Sequence, residues 1–151
     1  MSVSPRARFL AYVLAHMGAP YRWAAKGECD TRTGQHLFDC SGLVTAALRH
    51  VGGQDLRATH NTDRIWADFK PVSADELLPG DIVLYHRRGA PMDAEHVMVH
   101  VGAGVVVGAS GGGSSTLTLE DAERAGARVK AFATFHYRQG LMGFRRLPLA
   151  E

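Results

Sequence analysis

Chemistry in this 151-residue chain centres on two cysteines and eight histidines. Cys40 lies in Phe38-Asp39-Cys40-Ser41-Gly42-Leu43-Val44, where a polar, glycine-containing start gives way to an apolar run ending at Gly52-Gly53. Leu43, Ala47 and Val51 recur at i, i+4 and i+8 with Val44 and Leu48 beside them, the stripe of a half-buried helix. Asp39 is the expected N-cap and the glycine pair the stop. Cys40 then sits in the first turn, where unpaired backbone N–H groups and the positive end of the helix dipole favour an anion. A free thiol has a pKa of about 8.5, and a helix start beside a histidine lowers it by about one to several units. The expectation is a thiolate nucleophile; the plain alternative is a buried cysteine packing as a small hydrophobe.

A thiolate needs a partner that takes its proton and later hands it to a leaving amine, and imidazole does this best near neutral pH. In His96-Val97-Met98-Val99-His100-Val101 the alternation puts His96, Met98 and His100 on one strand face. His96 stands at the strand start, where an active-site edge is expected. His16, His36, His50, His60 and His136 fall on helices, loops or a late strand and read as surface or packing residues; His86, ending a strand, is a competitor. A metal site built from His86, His96 and His100 lacks carboxylate or thiolate spacing of a recognised kind, so neither metal nor cofactor is expected.

The elements that must position these groups follow from the pattern. Residues 5–17 form a first helix, with Pro5 near its start and Gly18 past its end. Gly18-Ala19-Pro20-Tyr21-Arg22-Trp23 is a turn and an extended aromatic segment, and 24–37 a loop. A further helix spans 59–69, capped by Thr59 or Asn61 and stopped by Pro71. Leu78-Pro79-Gly80-Asp81 is turn chemistry leading into a buried strand at 82–86, and 87–95 is a loop. Residues 96–101 and 105–110, joined by Gly102-Ala103-Gly104, make a β-hairpin. A flexible glycine loop at 111–115 precedes a short helix at 119–125 and strands at 128–134 and 143–147. Asp81 reads as a turn residue and Arg145-Arg146 as a solvated pair. Trp23 and Trp66 read as core or cleft-wall aromatics. Helices first and an antiparallel sheet later make an α+β arrangement.

Composition narrows the function classes. The length suits one domain, residues 1–151, with a core that needs no staples. Hydrophobic content of 46%, charged content of 21% and a net charge of +2 are those of an ordinary globule, without the like-charge blocks of a nucleic-acid binder. No apolar stretch is long enough to span a bilayer. Cys29 and Cys40 read as free thiols, because two cysteines make no disulfide framework. The two arginines and short apolar run near the start resemble a signal peptide only faintly, since Tyr12 and His16 interrupt the run. The glycine run 108–115 lacks the lysine and spacing of a phosphate loop.

Four motifs, in order, resemble the NlpC family of bacterial cell-wall endopeptidases within the papain-like cysteine peptidases. Gly18-Ala19-Pro20-Tyr21-Arg22-Trp23 is similar to G-x-P-Y-x-W, and Asp39-Cys40-Ser41-Gly42-Leu43-Val44 to D-C-S-G-[LF]-V. Leu78-Pro79-Gly80-Asp81-Ile82-Val83 is similar to L-x-P-G-D-L-V. His96-Val97-Met98-Val99-His100-Val101-Gly102-Ala103-Gly104 is similar to H-V-G-I-Y-x-G-x-G. The resemblance covers roughly residues 6–110, and the segments 109–115 and 137–146 further resemble phage-encoded or tail-associated members.

The resemblance implies a papain-like fold, N-terminal helices on a central antiparallel sheet, with Cys40 as nucleophile and His96 as general base. Tyr21 would hold the substrate's free amino end and Asp39 accept its charge, with Ser41 and His100 as further substrate contacts. The backbone N–H of Cys40 would serve an oxyanion hole. Many members carry His, Asn or Gln on the next strand to orient the base; the matching residue here is Gly108, which offers no side chain. Ser110, His100, a backbone carbonyl or a water are the open candidates for that role, and Ser110 is carried as the third catalytic candidate. The implied activity is hydrolysis of peptidoglycan stem peptides between the D-glutamyl γ-carboxyl and the following diamino acid. An amidase of the related CHAP type, an acyltransferase and a non-catalytic wall or tail module are the alternatives. The expected route is synthesis in the bacterial cytoplasm and action at the wall as a phage-particle component, after lysis, or within a larger assembly.

Overall fold

The computed structural model describes residues 3–150. Its elements are α1 (Pro5–Ala15), β1 (Lys26–Cys29), β2 (His36–Phe38), α2 (Cys40–His50), α3 (Thr62–Asp68), β3 (Lys70–Val72), β4 (Ile82–Arg87), β5 (Ala90–Gly102), β6 (Val105–Ser110), α4 (Leu119–Ala125), β7 (Arg128–Phe132) and β8 (Leu141–Arg146). Six strands form one antiparallel sheet in the order β3-β8-β4-β5-β6-β7, and β1 pairs with β2 in a separate hairpin. The α+β arrangement with helices against an antiparallel sheet is the one expected.

Alternation in the strands feeds two cores. Ile82, Leu84, Val97, Val99 and Val107 pack with Phe9 and Val13 of α1 and Leu43, Val44, Ala47 and Leu48 of α2. On the other side Val83, Tyr85, Met98, Val106 and Phe144 are covered by Val72, Leu77, Phe132, Phe135, Tyr137 and Leu141. The period of two in Ile82-Val83-Leu84-Tyr85 sorts successive side chains between these clusters. The helix starts are capped by side chains: Ser4 for α1, Asp39 for α2, Asn61 for α3 and a capping box at Thr118 and Asp121 for α4.

Three local expectations are corrected. The stretch 24–37 holds the β1–β2 hairpin, which its polar composition hid. The segment 87–95 is largely strand: β5 begins at Ala90, opposite Arg87 across a tight turn, and its first residues are exposed and so carry no hydrophobic alternation. The charges at 81, 145 and 146 are not merely turn and solvent groups. Asp81 is fully buried and takes Arg146 Nε and Nη2 at 2.9 and 2.8 Å, Arg6 Nη1 at 3.5 Å and the Leu78 N–H at 2.8 Å. Arg145 lies 3.4 Å over the Trp66 ring and donates to the Trp66 carbonyl.

Asp81 therefore ties α1, the turn before β4 and the end of β8 to one carboxylate. Removing one member of a buried ion pair strands its partners, and Asp81→Ala is expected to cost about 3–5 kcal/mol. A lowered urea midpoint with an unchanged m-value is the signature; a midpoint within experimental error of wild type contradicts it.

Candidate active site

The site is assembled at the start of α2. Asp39 accepts the Gly42 N–H at 2.7 Å through Oδ1 and the Ala24 N–H at 3.0 Å through Oδ2, and the Ser41 hydroxyl donates to it at 3.4 Å. Its own N–H donates to the Ala25 carbonyl at 2.8 Å. A Cβ on Gly42 would lie 1.9 Å from that carbonyl oxygen, so glycine is what lets the helix start press against the Ala24–Ala25 turn. Ala24 itself is held at φ 66°, a left-handed conformation that the bond to Asp39 maintains.

A cleft of about 750 Å³ opens over this start, and Cys40, His96, Tyr21, Asp39 and Ser41 all line it. Cys40 comes from the α2 N-terminus, His96 from the middle of β5, and the Val97 N–H acts on the thiol from the same strand. Tyr21 is buried against Gly112, where a Cβ would fall 2.3 Å from the ring, so the glycine loop is a fitted wall rather than a loose flap. Burial raises the Tyr21 pKa, and the charges of Cys40 and Asp39 raise it further.

Two sequence candidates lie elsewhere. His100 is buried below the hairpin, with Nδ1 bonded to the Leu78 carbonyl at 3.0 Å and Nε2 accepting the Gly104 N–H at 3.0 Å; both ring nitrogens serve the turn. Its place as a substrate contact is not supported by its position, because it lies four residues along the strand from His96 and outside the cleft lining. Ser110 is buried at the end of β6, outside the cleft lining and beside Tyr137. Gly108 faces Met98: a Cβ there would meet Met98 Sδ at 2.6 Å.

The electrostatics correct the expectation of a resting thiolate. The Cys40 thiol is pushed up to about 12, first by burial and then by the neighbouring Asp39 charge, which together outweigh the stabilising N–H groups of Val97, Ser41 and Cys40. His96 is pushed down to about 3 by burial, with the Arg138 charge adding to it. Burial also raises the pKa of Asp39, against the hydrogen bonds from Gly42 and Ala24. Both shifts favour the uncharged forms, a thiol and a neutral imidazole.

Sequence reasoning missed most of the rim. Lys26, Arg57, Arg87 and Arg138 bring cations and Asp63, Asp93 and Glu95 bring carboxylates to the same cleft. Arg138 bonds Glu95 at 3.1 Å and lies 5.3 Å over the Tyr85 ring. His60 also lines the cleft, with its Nε2 2.8 Å from Asp68 and its Nδ1 2.8 Å from the Thr59 hydroxyl. Only the acid beside His96 was close enough in sequence to be suspected. Both cysteines are free, Cys29 exposed and Cys40 buried. Among the described residues no three His, Cys, Asp or Glu side chains are grouped to hold a metal ion, and no helix is long and apolar enough to cross a membrane.

The model of the NlpC/P60 family matches residues 18–134. The murein DD-endopeptidase MepH of Escherichia coli K12 is 37% identical over 92 residues, 61% of this chain and 31% of that protein. The chain spans 17–36% of the length of the curated relatives it matches. The P60 domain of an antigen from M. avium subspecies paratuberculosis superposes with a TM-score of 0.66 over 97% of this chain and 96% of that one, at 20% identity. RipD of Mycobacterium tuberculosis, a non-catalytic NlpC/p60 domain protein adapted to peptidoglycan binding, superposes with a TM-score of 0.67 over 98% of this chain and 100% of that one, at 17% identity. These neighbours share the fold.

The depressed pKa of His96 has a consequence for stability. The folded protein keeps this imidazole neutral where the unfolded chain, at about 6.5, binds a proton. The unfolded state thus binds more protons between the two values, and stability is present above about pH 6.5 and lost toward pH 3, by up to about 1.4 kcal/mol per pH unit. The expected outcome is a shallower fall of unfolding free energy between pH 7 and pH 5 for His96→Gln than for wild type; parallel curves contradict it.

Proposed function

The chain belongs to the NlpC/P60 family, and on that premise we propose that it is a peptidoglycan hydrolase acting as a cysteine endopeptidase on stem peptides. The observation that carries the proposal is the placement of Cys40 and His96 in one cleft, the thiol at a helix start and the imidazole on the strand behind it. The bond we assign is that between the D-glutamyl γ-carboxyl and the following diamino acid. Such a peptide carries amino and carboxylate groups at close spacing, and the cleft rim carries carboxylates and cations in the same interleaved manner.

In the mechanism, His96 takes the Cys40 proton as sulfur attacks the γ-carbonyl carbon, and the developing oxyanion meets the N–H groups of Cys40 and Ser41 at the start of α2. The protonated imidazole then gives its proton to the departing amine, leaving a thioester. Water, deprotonated by His96, attacks the thioester carbon and releases the γ-carboxylate and the thiol. Because the resting pair is neutral, thiol deprotonation belongs to the attack step instead of preceding it. Tyr21 and Asp39 are assigned to the substrate's amino end, with Ser41 beside them.

A second reading is a wall-binding module. It is favoured by the burial that raises the Cys40 pKa and by the non-catalytic, peptidoglycan-binding character stated for RipD. An amidase of the CHAP type is the third outcome. For delivery, we propose association with a phage particle or tail, on the likeness of segments 109–115 and 137–146 to such members.

The test is mass spectrometry of peptidoglycan fragments after incubation with wild type and Cys40→Ala. Fragments beginning with the diamino acid, lost in the variant, are expected. Intact stem peptides freed from sugar would move the protein to the amidases, and wall binding without cleavage at any pH would move it to the binding modules.

A further inference from the structure

His96 has a ring nitrogen with nowhere to go. Its Nε2 is buried and without a hydrogen-bond partner, although the residue is 7% exposed and sits among polar groups. A buried polar atom left unmatched costs about 1–3 kcal/mol, so such an atom in an active site asks for an explanation. One other uncharged side chain shares the condition among the described residues: Tyr137 Oη is likewise buried and unpartnered.

The two belong to one neighbourhood. Tyr85 packs against both, 5.9 Å from the His96 ring and 5.6 Å from the Tyr137 ring. Tyr137 is close enough to Cys40 for the thiolate charge to raise the phenol's pKa. Arg138, the next residue, acts on His96. The Ser110 hydroxyl faces the phenol closely enough to lower its pKa, without closing a hydrogen bond of ordinary geometry. Past the pair Val99↔Val107, with Met98 against Gly108, the same register carries Ser110 across from His96. The Tyr137 ring is held rigidly, stacked on Phe132 at 3.8 Å and 8° and edge-on to Tyr85. Its hydroxyl is therefore confined to this neighbourhood, where the Ser110 and Arg138 side chains both act on it.

We propose that Tyr137, backed by Ser110, is the positioning residue for His96. In this arrangement the Tyr137 oxygen accepts the Nε2 proton of the neutral imidazole, and the Tyr137 hydroxyl proton goes to Ser110 Oγ. The tautomer this fixes leaves the Nδ1 lone pair for the Cys40 thiol proton, and no atom of Tyr137 touches substrate. Met98 fills the space above Gly108, which is why the strand position nearest to it contributes no group of its own. The inference rests on the Cys40/His96 reading above.

The experiment uses Tyr137→Phe in a Cys29→Ser background, so that Cys40 is the sole thiol. Phenylalanine keeps the stacking on Phe132, and a thermal unfolding midpoint close to the parent's verifies the fold. The expected result is a loss of about tenfold or more in kcat for stem-peptide cleavage, with KM within about twofold, since general-base catalysis is worth about 10²–10⁴-fold and mispositioning forfeits part of it. The rate of Cys40 alkylation by iodoacetamide at neutral pH should fall in parallel. The double change Met98→Gly with Gly108→His, which opens and fills the space opposite the imidazole, should restore at least part of kcat to Tyr137→Phe. A folded Tyr137→Phe with kcat and alkylation rate within about twofold of its parent overturns the inference. If the parent cleaves nothing while Cys40 alkylation still falls with Tyr137→Phe, the peptidase reading fails and the pairing of Tyr137 with His96 stands.

Discussion

The carboxylate of Asp39 is the point on which the cleft is hung. Gly42, Ala24 and Ser41 all donate to it, while its backbone N–H holds the Ala25 carbonyl. Capping α2 and fixing the left-handed turn at Ala24 are thus one act: neither the helix start nor the Tyr21–Ala25 wall can move without breaking the other. The same carboxylate is the second cause of the raised thiol pKa. Structure and reactivity therefore pull against each other at this residue, since the charge that builds the helix start opposes a charge on the sulfur beside it. Burial moderates the conflict by raising the Asp39 pKa itself.

The sheet brings His96 to the cleft by a different route. Alternation sends Val97 and Val99 toward α1 and α2 and leaves His96 and Met98 to the Tyr85 side, so His96 reaches the cleft at the margin of the sheet while its ring rests on the second core. That core is rich in aromatic rings. Tyr85, Phe132, Phe135, Tyr137 and Phe144 interlock by stacked and edge-on contacts, and the Tyr85 hydroxyl anchors the Phe135 carbonyl at 2.8 Å. Rigid rings hold an imidazole orientation at little entropic cost, because they have only two side-chain torsions to fix.

What the sequence made legible was local. The Asp39 cap, the α2 stripe, the glycine stop and the 96–110 hairpin are each written in a few adjacent residues, and each was found. The β1–β2 hairpin and the first half of β5 were not, because exposed polar strands are defined by their pairing partners and not by their own pattern. Nor did Arg146 announce Asp81, 65 residues away, or Arg145 announce Trp66. Those partners meet only in the folded chain. The expected direction of the thiol shift differs from that in the fold for a related reason: the helix start is visible in sequence, whereas burial, the first cause of the raised thiol pKa, is a property of the whole fold.

A neutral resting pair is what this environment should select. A separated thiolate and imidazolium would each pay the full desolvation cost that drives the two pKa values apart. In the proposed mechanism an ion pair formed only as sulfur meets carbon would avoid holding those charges in the cleft, and the negative charge would pass at once to an oxygen facing backbone N–H groups. Such a mechanism depends on geometry more than on a poised thiolate, since the proton must move within the lifetime of the attack. Under the proposed mechanism, the direction of the His96 ring is the quantity on which the rate would turn. On that proposal a strand position as bare as Gly108 would be compatible with chemistry, since the orienting group could come from any rigid element near Nε2, whichever strand or turn delivers it.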